Sequence, residues 1–163
     1  MIELQQIATI KSPYCELQNM PVQPCGAQNS YATIEFLEEY EEGLKDLEGF
    51  SHIYLIYYFH KVKESQLSVV PFNDKTKTPR GVFSTRTPMH PNSLGMSLVE
   101  LVSVEKNFVT IKGVDILDGT PLLDIKPYIP QFDRAEGEVK TGWMLSSGDE
   151  VKKMRSDKRF ICH

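Results

Sequence analysis

Polar side chains are concentrated on two stretches rich in proline and glycine, RGVFSTRTPMHPNSLG (Arg80 to Gly95) and LDGTPLLDIKPY (Leu117 to Tyr128). Prolines and glycines stiffen turns, and polar groups on such turns are typical of binding and catalytic sites. The residues in or between these stretches that can hold a charge, hydrogen-bond a ligand or move a proton are Arg86, His90, Asn92, Asp115, Asp118, Asp124, Lys126 and Tyr128. The three aspartates and Lys126 fall within twelve residues, and a strand that only contributes to a core does not need so many charged side chains.

Two interpretations stay open for several of these positions. The guanidinium of Arg86 either pairs with one of the aspartates or binds a carboxylate or phosphate of a ligand. His60 lies at the end of a strongly apolar segment. It is either a histidine whose hydrogen bonds are made within the end of the barrel or a residue that contacts a ligand. The DGTP sequence, Asp118 to Pro121, is in the simplest case a plain turn.

Several common functional classes are excluded by missing motifs. The chain has no GxGxxG, GxxxxGK[ST], HExxH or Gly-x-Ser-x-Gly sequence, which removes the usual nucleotide-binding, metalloprotease and hydrolase signatures. His52 and His60 lie eight residues apart, about 26 Å along a strand, so they cannot share a metal within it. No metal site is predicted.

Composition indicates one ordinary globular domain. The 163 residues are 40% hydrophobic and 25% charged, with a formal net charge of -4 and a pI near 5.6. An acidic protein has no bulk attraction for phosphate, so contact with nucleic acid would need a local basic patch. No apolar run approaches a membrane span and no signal peptide is recognisable, which favours a cytoplasmic protein. The three cysteines, Cys15, Cys25 and Cys162, are expected to be reduced thiols.

Short strands dominate the predicted elements. The segment SHIYLIYYFH (Ser51 to His60) is apolar on both parities and is expected to be a central strand buried on both faces. A hairpin is expected around Lys106-Asn107, and one short helix after Leu37. The remaining strands are predicted at 2–10, 31–37, 67–72, 81–85 and 121–125, with an irregular loop at 15–30. About seven strands and almost no helix favour an all-β barrel or sandwich.

The tail from Arg134 is expected to be an extension, residues 134–163, that packs either on the barrel domain formed by residues 1–133 or on a dimer partner. Ser147 and Glu150 have capping-box spacing and predict a short basic helix. Trp143 is interpreted as a core or dimer anchor rather than a platform for base stacking.

The order of several blocks resembles the TsaA-like (TrmO, formerly YaeB) family of S-adenosylmethionine-dependent tRNA methyltransferases. The resemblance spans roughly residues 1 to 133. The matching blocks are KSPY (Lys11 to Tyr14), PVQP (Pro21 to Pro24), EGLKDLEGFSHIYLIYYFH (Glu42 to His60), RGVFSTR (Arg80 to Arg86), HPNSLGMSLVEL (His90 to Leu101) and LDGTPLLDIKPYIPQFD (Leu117 to Asp133).

The resemblance implies a small closed all-β barrel of non-Rossmann type, with short helical turns, that works as a homodimer with the cofactor near the subunit interface. The implied reaction is N6-methylation of threonylcarbamoyladenosine beside the tRNA anticodon. The cofactor contacts carried over are Pro21, Val22, Gln23, His60, Lys61, Arg86, Met96, Asp118, Gly119, Thr120 and Pro121. Asp115, Asp118, Asp124 and Lys126 become candidate catalytic residues, and His90, Asn92 and Tyr128 candidate substrate contacts.

Two departures from the family pattern bear on the substrate. His90-Pro91-Asn92-Ser93 stands where relatives usually have Arg-Pro-Asn-Pro, and Val22 stands where arginine is common, which lowers the expected affinity for phosphate. Relatives in bacteria often carry a further C-terminal domain. A non-catalytic or regulatory S-adenosylmethionine-binding module and a small-molecule methyltransferase on the same barrel therefore remain as alternatives.

Overall fold

Six antiparallel strands close into a barrel. The structure is a computed structural model that describes residues 1–16 and 29–144. The strands of the barrel are β1 (Ala8–Lys11), β2 (Tyr31–Phe36), β3 (His52–Tyr58), β6 (Leu94–Glu105), β7 (Phe108–Lys112) and β8 (Thr120–Pro127). Around the barrel they follow the order β1-β2-β7-β6-β3-β8. Two short strands, β4 (Ser68–Val69) and β5 (Arg80–Gly81), form a separate pair. The all-β closed barrel expected from the sequence is confirmed.

Alternation of side chains along each strand fills the barrel. Ile10, Ile34, Leu55, Val109 and Leu122, from five different strands, are all fully buried and form one apolar core. Burying each of these side chains contributes about 1.5–3 kcal/mol relative to leaving it exposed. Strands that curve into a closed barrel leave no unpaired edge.

The expectation that β3 is buried on both faces is wrong. Ile53, Leu55 and Tyr57 point into the barrel, whereas Tyr54 and Ile56 are only half-buried on its outer surface. A barrel wall has one interior face, so the aromatic residues on the other parity lie outside. The sequence pattern did not reveal which parity faced inward.

The hairpin predicted around Lys106-Asn107 is confirmed, since β6 and β7 pair antiparallel and Lys106 has a φ of 54° that suits the tight turn. Other bounds differ. The first strand begins at Ala8 rather than Ile2, and the predicted helix consists of two 3-10 segments, Glu38–Leu44 and Leu47–Gly49. None of the described helices is long and apolar enough to cross a membrane.

Residues 61–92, between β3 and β6, leave the barrel as a compact excursion. Its base is closed by a hydrogen bond from the Phe59 amide to the Ser93 carbonyl, 2.9 Å. Its small apolar cluster consists of four buried residues, Val62, Val69, Val82 and Met89. The strand predicted at 81–85 is wrong, because residues 82–84 form a 3-10 turn that buries Val82 in this cluster.

A short helix α1 (Pro130–Asp133) follows β8, and the described chain then runs to Met144. Trp143 is partly buried there; its Nε1–H donates to the carbonyl of Ser84 at 2.8 Å, and the Arg80 guanidinium lies 5.5 Å from its ring centroid. Trp143 is thus an anchor on the excursion and not part of the barrel core. The predicted basic helix at Ser147 lies outside the described residues.

Candidate functional site

The DGTP segment is fixed at one end of the barrel by the KSPY segment. The amide of Ser12 donates to Oδ1 of Asp118 at 2.9 Å, and the amide of Asp118 donates to the carbonyl of Tyr14 at 2.7 Å. Gly119 has a φ of 76°, a conformation that favours glycine, and its amide donates to Ile10. These contacts make the DGTP segment more than a plain turn. The Ser12 amide binds Oδ1 of Asp118 and not Oδ2.

His60 reaches the same end of the barrel. Its Nδ1 lies 3.5 Å from Oγ1 of Thr120, whose hydroxyl donates to the Leu117 carbonyl at 2.7 Å. Burial, and then the charge of Lys61, lower the pKa of His60, which favours the neutral imidazole. The structure thus brings together His60 and Thr120, two of the positions predicted to contact the cofactor. Lys61 is exposed beside them, and Pro121 is half-buried at the start of β8.

A chain of hydroxyl groups leads from inside the barrel to Asp115. The Tyr57 hydroxyl lies 3.0 Å from Ser97 Oγ, and Ser97 donates to Oδ1 of Asp115 at 3.0 Å. Since that serine proton goes to Asp115, the Tyr57 hydroxyl is the donor to Ser97. Burial raises the pKa of Asp115 to about 6, against the opposing effect of the Ser97 hydrogen bond. Burial also raises the pKa of Tyr57.

Tyr57 and Ser97 were missed by sequence reasoning. By sequence alone both are ordinary strand residues, because β3 is apolar on both parities and β6 carries serine among aliphatic residues. The available signal is Gly95, two residues before Ser97, since a glycine inside a strand often marks a close approach.

Arg86 projects from the excursion into solvent. The flanking Thr85 and Thr87 are buried and 3.1 Å apart through their hydroxyl oxygens, which fixes the backbone on both sides of the arginine. Within residues 1–16 and 29–144, no carboxylate pairs with Arg86, so the interpretation as an internal ion pair is not realised there. Burial, and then the charges of Asp133 and Tyr128, raise the pKa of Tyr54, and the charge of Arg86 opposes this rise.

His90 and Asn92 share a turn at the end of the excursion. The Nε2–H of His90 donates to the carbonyl of Thr85 at 3.0 Å, so this nitrogen is used within the loop. The Ser93 amide donates to the His90 carbonyl at 3.0 Å, and Asn92 between them is exposed. Only Nδ1 of His90 is left for a substrate.

Four other predicted residues lie on the outer surface of the barrel. Met96 of β6 and Asp124 of β8 flank Ile56 of β3 in register. Asp124 forms an ion pair with Lys126, 2.8 Å between Oδ2 and Nζ, and both are largely exposed. Tyr128 packs edge-on against Tyr54, with ring centroids 5.8 Å apart.

The three predicted aspartates are not one carboxylate cluster. Asp118 precedes β8 and Asp124 follows six residues later, roughly 20 Å along the strand, while Asp115 accepts a hydrogen bond from Ser97 of β6. Pro21, Val22 and Gln23 lie outside the described residues. In the described part of the chain, no group of three or more histidine, cysteine or acidic residues is placed to hold a metal ion.

Known proteins match both the sequence and this barrel. The sequence model of the tRNA-methyltransferase O N-terminal domain matches residues 9–134. A probable S-adenosyl-L-methionine-binding protein of Pyrococcus abyssi is 47% identical over 161 residues, covering 99% of this chain and 86% of that protein. The tRNA (adenine(37)-N6)-methyltransferase of Escherichia coli is 37% identical over 136 residues, which are 78% of this chain and 58% of that enzyme.

Solved structures agree. The crystal structure of TrmO from Pseudomonas aeruginosa superposes with a TM-score of 0.72 at 33% identity, covering 90% of this chain and 63% of that one. Fold and sequence together define a β-barrel protein of the S-adenosylmethionine-dependent methyltransferase class. The chain belongs to the tRNA-methyltransferase O family, and S-adenosylmethionine, the cofactor predicted from the resemblance, is the one for which its relatives are named. It spans 58% of the length of the Escherichia coli relative.

Proposed function

We propose that this protein transfers a methyl group from S-adenosylmethionine to N6 of an adenosine beside the tRNA anticodon, with threonylcarbamoyladenosine as the methylated nucleoside. The observation that carries the proposal is the joining of the KSPY, His60 and DGTP segments at one barrel end, through Ser12–Asp118 and His60–Thr120. These are family blocks far apart in sequence. Relatives named tRNA (adenine(37)-N6)-methyltransferase support the substrate class.

The residues present fit the proposed cofactor. Arg86 offers an exposed guanidinium that no described carboxylate neutralises, which suits the carboxylate of the methionine part. Gly119 has a positive φ and no β-carbon, and nothing lies within 4 Å of the position that a β-carbon would take. A ligand can therefore approach the backbone closely there. His60, neutral and half-buried, can hydrogen-bond a ligand without adding a charge beside Lys61.

The chain's own residues would mainly align the reactants. When bound, S-adenosylmethionine supplies an electrophilic methyl group, so holding the attacking amine in line and excluding water provide most of the rate. The amine must also lose a proton. Asp118 is the best-placed acceptor, since Ser12 fixes one carboxylate oxygen and leaves the other available, whereas Asp124 is paired with Lys126.

One observation favours the alternative of a non-catalytic S-adenosylmethionine-binding module. His90 stands where the family usually has arginine, and its Nε2 is engaged by the Thr85 carbonyl. A permanent cation for substrate phosphate is therefore missing at this position. Relatives named only for S-adenosyl-L-methionine binding are also consistent with such a module.

The test is to incubate the purified protein with labelled S-adenosylmethionine and total tRNA from its source, followed by nucleoside analysis. Label in methylated threonylcarbamoyladenosine is expected. Tight cofactor binding with no label in tRNA would overturn the proposal in favour of the binding module or a small-molecule enzyme. Arg86→Ala should weaken cofactor binding, and Arg134→Ala, at an exposed arginine after α1, is the matched control.

We also propose that the protein is a cytoplasmic homodimer. Leu94, Met96 and Tyr58 are adjacent on the outer surface of β3 and β6, and are 40%, 51% and 41% exposed. An apolar strip of this kind suits a second copy of the chain. Because Met96 is itself a predicted cofactor contact, this strip would place part of the cofactor site close to the subunit interface.

A further inference from the structure

The excursion is a basic part of an acidic protein. Residues 61–92 contain six lysines and arginines and only two acidic residues, a net charge of +4, whereas the whole chain carries -4. One of the two acids, Asp74, is neutralised by Arg80, with 2.7 Å between Oδ2 and Nε. Lys61, Lys63, Lys77 and Arg86 are all exposed. This charge distribution is the electrostatic footprint of a surface that meets phosphates.

An aromatic ring stands on this basic surface. Phe83 is 75% exposed, although it lies within a 3-10 turn whose preceding residue, Val82, is fully buried. The turn is held by hydrogen bonds from the Thr85 amide and hydroxyl to the Val82 carbonyl, 3.0 and 2.6 Å. Burial of Val82 therefore directs Phe83 outward on a fixed backbone.

The surroundings of Phe83 leave room for a flat ligand. Its only described ring contact is with His90, T-shaped with centroids 5.7 Å apart, and this geometry covers at most one face of the phenyl ring. The next residue, Ser84, is tied through its carbonyl to Trp143. Because the backbone is fixed on both sides of Phe83, little conformational entropy of the protein would be lost when a base stacks on this ring.

From this geometry we infer that the excursion docks the single-stranded anticodon loop of the RNA, and that Phe83 stacks on one unpaired base while the exposed Lys63 and Lys77 of the excursion contact phosphates. This inference rests on the proposed function and deepens it by naming a docking surface. Positive charge with an exposed aromatic ring is the combination by which proteins bind unpaired nucleic acid. An apolar protein partner would not explain the charge.

The experiment measures binding rather than methyl transfer, so that its result is separate from that of the proposed function. Fluorescence anisotropy with a labelled anticodon stem-loop RNA compares wild type, Phe83→Ala and Phe83→Trp, and calorimetry measures S-adenosylmethionine binding by each. We expect Phe83→Ala to weaken RNA binding about 5- to 150-fold and Phe83→Trp to restore it, with unchanged cofactor binding. Phe132→Ala, at an 81% exposed phenylalanine on α1, is the matched control and should bind RNA as wild type does.

The cations are tested by the salt dependence of RNA binding. Lys63→Gln should reduce the slope of log affinity against log salt by about 0.7, the value for one contact with a single strand, whereas Lys45→Gln outside the excursion should leave it unchanged. RNA affinity of Phe83→Ala equal to that of wild type would overturn the inference, as would loss of cofactor binding in that variant. Absence of RNA binding by wild type would also overturn it. RNA binding that depends on Phe83 without tRNA methylation would support the inference while the proposed function fails.

Discussion

The ring of Tyr57 fills the space next to the α-carbon of Gly95, its register partner on β6. A β-carbon at residue 95 would lie 2.9 Å from Cδ2 of Tyr57 and still closer to Cε2 and Cζ, nearer than non-bonded atoms approach. With no side chain at 95, the ring lies inside the barrel and its hydroxyl reaches Ser97. The glycine thus permits the hydroxyl chain that ends at Asp115.

Gly95→Ala should therefore destabilise the barrel. The added methyl group must displace the Tyr57 ring, which is fixed by packing and by its hydrogen bond, and overpacking of this kind costs about 1–3 kcal/mol. Urea denaturation would measure the loss. Gly81→Ala is the control, because nothing lies within 4 Å of its β-carbon position and its φ is -58°. Equal denaturation midpoints for the two variants would show that the ring moves aside freely.

Asp115 should make stability fall as pH rises. Its folded pKa of about 6 lies above the ordinary value of 3.8, so the folded protein binds the proton more tightly than the unfolded chain does. The resulting stabilisation is complete below about pH 4 and is lost as pH rises through 6, a change of the order of 2–3 kcal/mol. Asp115→Asn should remove this part of the pH dependence, measured by denaturation between pH 4 and 7.

Two further variants test whether Asp115 causes this pH dependence of stability. Ser97→Ala removes the hydrogen bond that lowers the pKa of Asp115, so the fall in stability should extend to higher pH. Asp46→Asn, at an exposed aspartate just before the 3-10 segment Leu47–Gly49, is the control. A pH profile of Asp115→Asn that parallels wild type would contradict the assignment.

The hairpin β6–β7 was predictable because its signal is local: two alternating segments around two polar residues. The turn at 82–84 was not, because Val82 and Phe83 favour strands by themselves. What decides their conformation is the burial of Val82 against Val62, Val69 and Met89, which come from distant parts of the excursion. Tertiary packing overrides local preference at such places.

The grouping of the candidate site residues was not predictable from the sequence. Asp118 meets Ser12 only because β1 pairs with β8 and closes the barrel, a contact across 106 residues that no local pattern encodes. Asp118 and Asp124 are close in sequence, yet the extended β8 separates them. The closeness of the aspartates in sequence therefore overstated how many of their carboxylates lie together in the structure.

Arg80→Ala should loosen the docking of Trp143. The arginine lies over the indole and also bonds Asp74, whose pKa is lowered to about 2 chiefly by that bond. Trp143 is the only tryptophan in the sequence, so its fluorescence reports on this contact directly. A red shift of the emission is expected, with Lys63→Ala as the control on the same excursion. An unchanged spectrum would mean that the Ser84 hydrogen bond alone holds the indole.

Leu94→Glu should dissociate the proposed homodimer. Leu94 and Tyr58 are register partners on the exposed apolar strip, and a carboxylate buried there without a partner is costly. Sedimentation velocity at matched concentrations would detect the shift to monomer. Val102→Glu, 48% exposed farther along the same strand, is the control. A dimer that persists in Leu94→Glu would exclude this strip as the interface.

Asp118→Asn should slow methyl transfer while leaving the fold intact. Asparagine keeps an oxygen that can accept from the Ser12 amide, so the link between the KSPY and DGTP segments remains, but the group that would take the amine proton is lost. The expected loss in kcat is about 10²- to 10⁴-fold, with S-adenosylmethionine binding and the denaturation midpoint close to wild type. Asp124→Asn is the comparison, since it removes a carboxylate paired with Lys126 on the outer surface. A larger loss in Asp124→Asn than in Asp118→Asn would move the proton acceptor to β8 and place the reaction on the outer face of the barrel.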